Sequence, residues 1–474
     1  MIWIRRFSFS VLALAGAIFL ILGSRENQDA PQDFVIVEYW EKWVGTEAAQ
    51  MQQIVDDFNN TVGKERKIFV RYMSMTDVDQ KTLVATSAGV PPDIAGLYDQ
   101  QVAQYAALGA VEPLDDLAAA HGITEQTYLP VFWKGCHYNG RLYALVSTPG
   151  TIALFYNKQI FKENADALHA AGLSSEAPPA TIDDLDRCAA ILDQKNAQGR
   201  TERLGYDPLQ SWYVPFNPYW FGDNLFDAAT GQLTLDSPGA VHCFQWIAGY
   251  SKRLGLQTLM DYQQNGLVNF DSPQNLLLIG KLVMQQQGPW MANYVDHLNP
   301  SMSHVLVSKS EEWKLKNRAD NYAWGVAPFP SAVPGLQNVS YSSFDVLMIP
   351  KGARHSQEAF AFMAYVNRQD VSEKLNMLHC KNCQLAHVSS NFLQHHPNPY
   401  IKLYQDLAAS PNAHGVPQIP IWPEVFKELN DDSQSVALEG ADPAAVLHQA
   451  QQRMQERYDR FHRIEIQRRQ TGMN

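Results

Sequence analysis

The sequence has few cysteines and lacks the common motifs of catalytic and nucleotide-binding centres. Five cysteines in 474 residues are too few to form a disulfide-built scaffold. The patterns HExxH, GxGxxG, GxxxxGK[ST] and GxSxG do not occur. We therefore expect no metal and no cofactor. A glycosidase remains an alternative, because its two carboxylates would come from distant positions and leave no local motif.

Basic residues are also in deficit. Lys and Arg number 37 against 49 Asp and Glu, which gives a formal net charge of −12. This balance disfavours nucleic acid or an anionic membrane surface as a partner. Hydrophobic residues make up 46% and charged residues 18% of the chain, as in globular proteins with a sizeable core. The length predicts two or three domains.

The N-terminus has the layout of an export signal. Arg5 and Arg6 precede sixteen uncharged residues, 7–22, and a polar segment follows. We predict that residues 1–24 are a signal peptide or, if uncleaved, an N-terminal membrane anchor. The mature protein is then expected in the periplasm or another extracytoplasmic space. No cysteine precedes Cys136, so an acylated N-terminal cysteine is excluded.

An oxidising compartment allows a disulfide. Cys380 and Cys383 lie close together in HCKNCQ, and we predict that they close a small structural loop. The alternative of a redox motif is weaker, because no thioredoxin-like strand and helix surround them.

Strand and helix patterns alternate at the start of the mature chain. DFVIVEYW, KIFVRYM and DIAGL predict strands, and the segments between them predict amphipathic helices. This alternation is typical of an α/β fold with a parallel sheet. Ligands of such sheets bind beyond the carboxyl ends of the strands. Candidate ligand contacts are therefore Trp40, Trp43, Tyr98 and Asp99, with the alternative that Asp99 only caps the next helix.

Later segments carry clear turn and helix-start signals. Asn139-Gly140 between two apolar runs predicts a hairpin. Thr181 is a predicted helix N-cap, and Pro238 and Pro273 predict the first turns of two more helices. The segment from Pro443 to about Arg468 predicts a long amphipathic helix.

Aromatic residues are abundant, with 11 Trp and 20 Tyr. Residues 207–227 combine large rings with three prolines, which predicts an irregular wall rather than a regular helix. Rings with a polar rim suit the C–H faces of a sugar, whereas the alternative is ordinary core packing. The aromatic candidates for ligand contact are Trp212, Trp220, Trp290 and Trp422.

Several blocks together resemble the extracellular solute-binding proteins of ABC transporters, in the carbohydrate-binding group around maltose-binding protein. The matching blocks are SAGVPPDIAGLYDQQVAQYAALGAVEPLDDL, NGRLYALVSTPGTIALFYNKQIF, TIDDLDRCAAIL, GPWMANY, WGVAPFP and SSFDVLMIPKGARHSQEAFAFMAYV. The resemblance implies a two-lobed periplasmic-binding-protein fold of type II with a hinge between the lobes and a helical C-terminal part. It implies an N-terminal lobe of residues 33–145 and 330–372 and a C-terminal lobe of residues 150–325 and 375–474.

The same resemblance implies a function. The chain is expected to be a monomeric, non-enzymatic receptor that captures a sugar or oligosaccharide between its lobes and delivers it to the transmembrane permease subunits of an ABC transporter. Tyr98 and Asp99 match first-lobe contacts, and Trp290 matches a stacking residue of the second lobe. The alternatives are an exported carbohydrate-active enzyme and a sensor-type binding protein. A polyol, a glycerol phosphate or a peptide also remains open as the ligand.

Overall fold

The computed structural model describes residues 31–266, 270–302 and 322–471. The expected signal or anchor, residues 1–24, lies outside this part of the chain. None of the helices within the described ranges combines the length and the apolar character needed to cross a membrane.

Fifteen strands occur in the described residues. In chain order they are β1 Val35–Glu41, β2 Ile68–Ser74, β3 Ile94–Tyr98, β4 His137–Tyr138, β5 Arg141–Leu142, β6 Leu145–Thr151, β7 Ala153–Asn157, β8 Gln194–Lys195, β9 Thr201–Arg203, β10 Phe226–Asp227, β11 Gln232–Leu233, β12 Met284–Gln287, β13 Trp324–Ala327, β14 Ser340–Met348 and β15 Ala413–His414.

The α-helices of the same ranges are α1 Gly45–Asn60, α2 Val62–Arg66, α3 Val78–Ser87, α4 Val102–Ala107, α5 Asp115–Ala120, α6 Pro130–Gly135, α7 Lys158–Glu163, α8 Ala165–Ala170, α9 Ile182–Leu192, α10 Pro238–Leu254, α11 Leu256–Asn265, α12 Met291–Leu298, α13 Ser356–Val366, α14 Gln369–Leu378, α15 Ser390–His395, α16 Ile401–Ala408, α17 Trp422–Gln434 and α18 Pro443–Thr471. Short 3-10 helices cover Asp99–Gln101, Glu125–Thr127, Val214–Phe221 and Pro300–Met302, and a π-helical turn covers Ser435–Glu439.

The first lobe is built on the predicted parallel sheet. Strand β1 pairs in parallel with β2 and β3, which confirms the alternating pattern read from the sequence. The apolar face of α1 packs on this sheet with Met51, Ile54, Val55 and Phe58 buried. Asp93, just before β3, accepts backbone hydrogen bonds from Glu38, Arg354 and His355. Its role is therefore structural, because it joins the sheet to the start of α13.

A two-stranded ribbon connects the lobes. Strands β6 and β14 are antiparallel, and β14 also pairs with β3. Leu145 and Val146 at one end of β6 belong to the first hydrophobic core, whereas Ile152 just beyond its other end belongs to the second. The ribbon therefore runs from one core to the other, as expected of a hinge.

The second core is formed mainly by the residues between β7 and α12 together with α17 and α18. Leu375 and Ala408 pack in the first core although the sequence assigns 375–474 to the second lobe. The exact lobe boundaries, 33–145 with 330–372 and 150–325 with 375–474, remain a prediction.

Most local predictions are confirmed by the structure. Asn139 and Gly140 have φ of 48° and 76° and link β4 to β5 in a tight hairpin. The Thr181 side chain accepts a hydrogen bond from the Asp184 N–H, and Pro238 opens α10. The C-terminal helix runs to Thr471.

Two local predictions are wrong. Residues 272–282 form turns instead of a helix after Pro273, because the Asn275 side chain accepts hydrogen bonds from the N–H groups of Leu277 and Leu278. Cys380 and Cys383 are thiols and form no disulfide. The Cys380 thiol donates to Asn293 Oδ1, and Cys383 Sγ lies 3.4 Å from Ser372 Oγ, so the two side chains have separate neighbours.

Candidate functional site

A cavity of about 920 Å³ lies between the two lobes. Its walls are the carboxyl ends of first-lobe strands, the ribbon, and two parts of the second lobe. The second-lobe parts are α17 and the start of the proline-rich segment, residues 209–213. Its volume is near the upper end of the roughly 300–1,000 Å³ of small-molecule sites.

Aromatic rings from both lobes form much of the cavity wall. The first lobe contributes Trp43 and Tyr98, and the second contributes Trp212, Tyr213 and Trp290. Tyr98 is 49% and Trp212 39% exposed, and both belong to the same patch of rings, which is typical of a binding site. Phe270, Tyr294, Phe344 and Phe426 are the other aromatic residues of the lining. Rings on opposite walls can contact both faces of a bound sugar ring.

Trp290 is positioned by two glycines. A Cβ atom added at Gly150 would lie 2.3 Å from the indole Cζ3, and one added at Gly288 would lie 2.1 Å from Cη2. The indole therefore packs directly against the backbone of the ribbon strand β6 and of the segment before α12. Any larger residue at either position would displace the ring.

Buried charges lie at the ribbon side of the cavity. Asp345 of β14 sits between two ammonium groups, with Lys42 Nζ 3.1 Å from Oδ1 and Lys381 Nζ 2.9 Å from Oδ2. Thr148 Oγ1 also donates to Asp345 Oδ2 at 2.8 Å. Lys42 Nζ lies 3.2 Å from Glu41 Oε1 and donates to the Leu97 carbonyl at 3.0 Å. The network therefore joins β1, β3, the ribbon and the loop after α14.

The network fixes the ionisation of Asp345. Burial by itself would raise the pKa of this carboxyl, but the charges of Lys381 and Lys42 outweigh burial and hold the pKa below its usual value. Burial would likewise lower the pKa of Lys42, whereas Asp345 and Glu41 raise it. Asp345 is thus held ionised and cannot serve as a general acid at neutral pH.

Four of the eight sequence-predicted site residues line the cavity: Trp43, Tyr98, Trp212 and Trp290. Trp43 and Tyr98 lie close together because Tyr98 is the last residue of β3 and Trp43 follows the neighbouring strand β1. Trp43 is also held by its neighbours: the His379 ring meets it edge to face with ring centres 4.8 Å apart, and Lys42 Nζ lies 4.9 Å from its ring centre.

The other four predicted residues lie outside the described cavity lining. Trp220 is buried in the second core and donates its indole N–H to the Val339 carbonyl at 3.0 Å. Trp422 is also buried there and stacks on Phe216 with ring centres 5.6 Å apart. Trp40 lies half-buried within β1 against the first core.

Asp99 lies beside the cavity without lining it. It is 1% exposed, and its carboxylate faces the backbone N–H groups of Gln100 and Phe344. Burial, followed by the nearby charge of Asp345, raises the pKa of Asp99 well above its usual value. The 3-10 helix begins at Asp99 itself, with Tyr98 in the N-cap position, so the alternative that Asp99 is the N-cap is wrong.

Sequence reasoning missed much of the polar lining. Glu47, Gln100 and Lys381 come from the first lobe and the loop after α14, and Asn430 and Gln434 lie one helical turn apart on α17. Of the missed lining residues, Phe426, Asn430 and Gln434 could have been grouped from the sequence, since their spacing of four places them on one face of a helix. No sequence pattern indicated that Lys381 and Asp345 lie together, because they are brought into contact only by the tertiary fold.

Comparison with known proteins places this geometry in a family. The model for bacterial extracellular solute-binding proteins matches residues 53–376, which is more than half of the chain. The chain belongs to this family. Its members bind solutes and are not a family of enzymes.

Individual relatives are distant. A maltotriose-binding protein of Pyrococcus abyssi is 24% identical over 215 residues, which are 45% of this chain and 41% of that protein's length. The sn-glycerol-3-phosphate-binding periplasmic protein of Shigella dysenteriae is 23% identical over 334 residues, covering 66% and 73% of the two chains. The solved structure of CpMnBP1 with mannotriose bound superposes with a TM-score of 0.73 at 22% identity, covering 88% of this chain and 99% of that one. This likeness confirms the two-lobed fold.

Proposed function

We propose that the protein is a non-enzymatic receptor that captures an oligosaccharide between its lobes and delivers it to the permease subunits of an ABC transporter. The observation that carries this proposal is the interlobe cavity of about 920 Å³, with aromatic rings on both walls. The rings of the cavity lining outnumber the two faces that a single monosaccharide offers for stacking. Relatives that bind maltotriose or mannotriose support the same ligand class.

The mechanism is closure of the lobes on the ligand. Only the closed arrangement contacts the sugar from both walls, so binding shifts the equilibrium toward it. The protein acts as a monomer in the periplasm or another extracytoplasmic space, and the N-terminal segment provides export or anchoring. The carbohydrate-active enzyme is less favoured, because Asp345 is locked between two lysines and Asp99 is sealed from the cavity.

A thermal-shift screen of residues 30–474 tests the proposal. The probes are mono-, di- and trisaccharides, polyols, sn-glycerol 3-phosphate and short peptides. Ligand at about one hundred times its Kd should stabilise the fold by roughly 2.7 kcal/mol. We expect the largest shift from a neutral trisaccharide. A response confined to glycerol phosphate or to peptides would refute the carbohydrate assignment, and release of reducing ends would refute the non-enzymatic one.

A further inference from the structure

Two lysines share the buried carboxylate of Asp345, but they differ in their remaining contacts. Lys42 Nζ lies 3.1 Å from Asp345 Oδ1 and 3.2 Å from Glu41 Oε1, and it donates to the Leu97 carbonyl at 3.0 Å. An ammonium group has three N–H donors, so protein oxygens take up all those of Lys42. Its side chain is 6% exposed and is not among the described residues that line the cavity.

Lys381 has fewer partners and lines the cavity. Its Nζ donates to Asp345 Oδ2 at 2.9 Å and to Thr148 Oγ1 at 3.1 Å. Glu47 Oε1 is 4.0 Å away, beyond the roughly 3.2 Å limit of an N–H···O hydrogen bond. Two of the three donors are therefore paired with groups in the described part of the chain, and the third remains for another acceptor. The side chain is only 7% exposed, yet it belongs to the cavity lining.

The Lys381 ammonium also lies near aromatic rings of both lobes. Its Nζ is 5.5 Å from the ring centre of Trp43 in the first lobe and 5.7 Å from that of Trp290 in the second. Both indoles line the cavity. The hydroxyl groups of a sugar project from the edge of its ring, so a unit stacked on either indole carries hydroxyl groups close to this ammonium.

The backbone on both sides of Lys381 is fixed. At the end of α14, the N–H groups of Cys380 and Lys381 donate to carbonyl groups of the last helical turn. These are the two hydrogen bonds of a Schellman motif, with Cys380 in the left-handed conformation at φ 53°. The next residue, Asn382, accepts from the N–H of Thr151 at 3.1 Å and donates to its hydroxyl at 3.2 Å. The ammonium is therefore preorganised, which lowers the cost of ordering it on binding.

We propose that Lys381 is a specificity-determining residue, which donates its third N–H to a hydroxyl oxygen of the sugar unit that stacks on Trp43 or Trp290. The acceptor is uncharged, because Asp345 already balances the charge of Lys381 and Glu47 nearby would repel an anion. A sugar unit with an ammonium group in place of that hydroxyl is rejected, because two cations would meet away from bulk water. This inference rests on the proposed function and names the chemistry by which its site selects among sugars.

The variant Lys381→Met tests the contact, because methionine is also unbranched and lacks the ammonium. Lys42→Met is the matched control, since it also removes one cationic partner of Asp345 but no spare donor. The probes for isothermal titration are maltotriose, mannotriose and their monodeoxy derivatives, each lacking one hydroxyl. For the wild type, removal of the hydroxyl that Lys381 contacts should raise the Kd about tenfold or more.

The two variants should differ in selectivity. Lys381→Met should bind the parent trisaccharide about tenfold more weakly and should no longer distinguish it from that derivative. Lys42→Met should keep the wild-type ratio of the two Kd values, even if both values rise. A merely structural role of Lys381 would weaken the binding of both ligands equally and leave the ratio unchanged. An unchanged ratio for every derivative would therefore overturn the proposal.

A crystal structure of the ligand-free protein tests the spare donor without any sugar. We expect a water molecule within hydrogen-bond distance of Lys381 Nζ on the cavity side. A Glu47 carboxylate within hydrogen-bond distance of Nζ would leave no donor for a ligand and would overturn the proposal. If no trisaccharide binds the wild type, the proposed function is contradicted, and the crystal structure alone decides whether Lys381 keeps a free donor.

Discussion

Replacement of Trp290 by alanine tests the sugar-stacking wall. The indole lines the cavity from the second lobe and packs on the backbone at Gly150 and Gly288. Removing about 50 Å² of ring surface from contact with a sugar costs roughly 1.2 kcal/mol at about 25 cal/mol per Å². Loss of stacking adds about 0.5–1.5 kcal/mol. The sum, about 2 kcal/mol, predicts a rise in Kd of roughly thirtyfold.

Isothermal titration with the best trisaccharide of the screen measures this change. Trp133→Ala is the matched control, because Trp133 is also half-buried and packed against other rings but does not line the cavity. Circular dichroism should show that both variants fold. A Trp290→Ala protein that keeps the wild-type Kd would remove this residue from the site. An equal loss in Trp133→Ala would attribute the effect to general destabilisation.

Three further predictions concern stability and the thiols. Asp345→Asn should lower the free energy of unfolding, measured in urea, by about 3 kcal/mol, because two buried ammonium groups lose their shared carboxylate. The control Asp406→Asn removes an exposed ion pair with Lys402 and should lower the free energy of unfolding by less than about 1 kcal/mol. The stability that Asp345 provides should decrease as the pH falls below about 4, since its pKa is lowered in the fold. Burial, followed by the charge of Glu428, raises the pKa of Asp432 to about 7. The folded protein therefore holds this proton more tightly than the unfolded chain does. The resulting stabilisation is lost as the pH rises from about 4 to about 7. Asp432→Asn should accordingly raise the thermal midpoint at pH 8 and leave it nearly unchanged at pH 4. Titration of the denatured protein without reductant should find five thiols; a count of three would support a disulfide instead.

Local sequence patterns predicted the helices, strands and turns better than they predicted the tertiary contacts between them. The hairpin at Asn139-Gly140, the cap at Thr181 and the parallel start of the sheet depend on neighbouring residues and were read correctly. The helix expected after Pro273 failed because the Asn275 side chain competes for the backbone N–H groups that a helix would use. The disulfide expected in HCKNCQ failed because sequence proximity does not align two sulfur atoms.

Sequence composition could not distinguish the tryptophans that line the cavity from those that are buried in the core. Trp212 and Trp290 reach the cavity, whereas Trp220 and Trp422 fill the second core. A tryptophan in a proline-rich stretch is equally suited to either role, because a large ring stabilises wherever it is packed. The four candidates near strand ends divide in the same way, since Trp43 and Tyr98 line the cavity whereas Trp40 and Asp99 do not.

The buried charges also indicate how selectivity arises. Asp345 already accepts from Lys42, Lys381 and Thr148, so few of its lone pairs remain for a ligand. Recognition of hydroxyl groups then depends on the amides of the lining, among them Gln100, Asn430 and Gln434. An amide can both donate and accept and loses less solvation on burial than a carboxylate. A neutral ligand rich in hydroxyl groups satisfies such a surface, whereas an anionic ligand would have to compete with Asp345 for the two lysines.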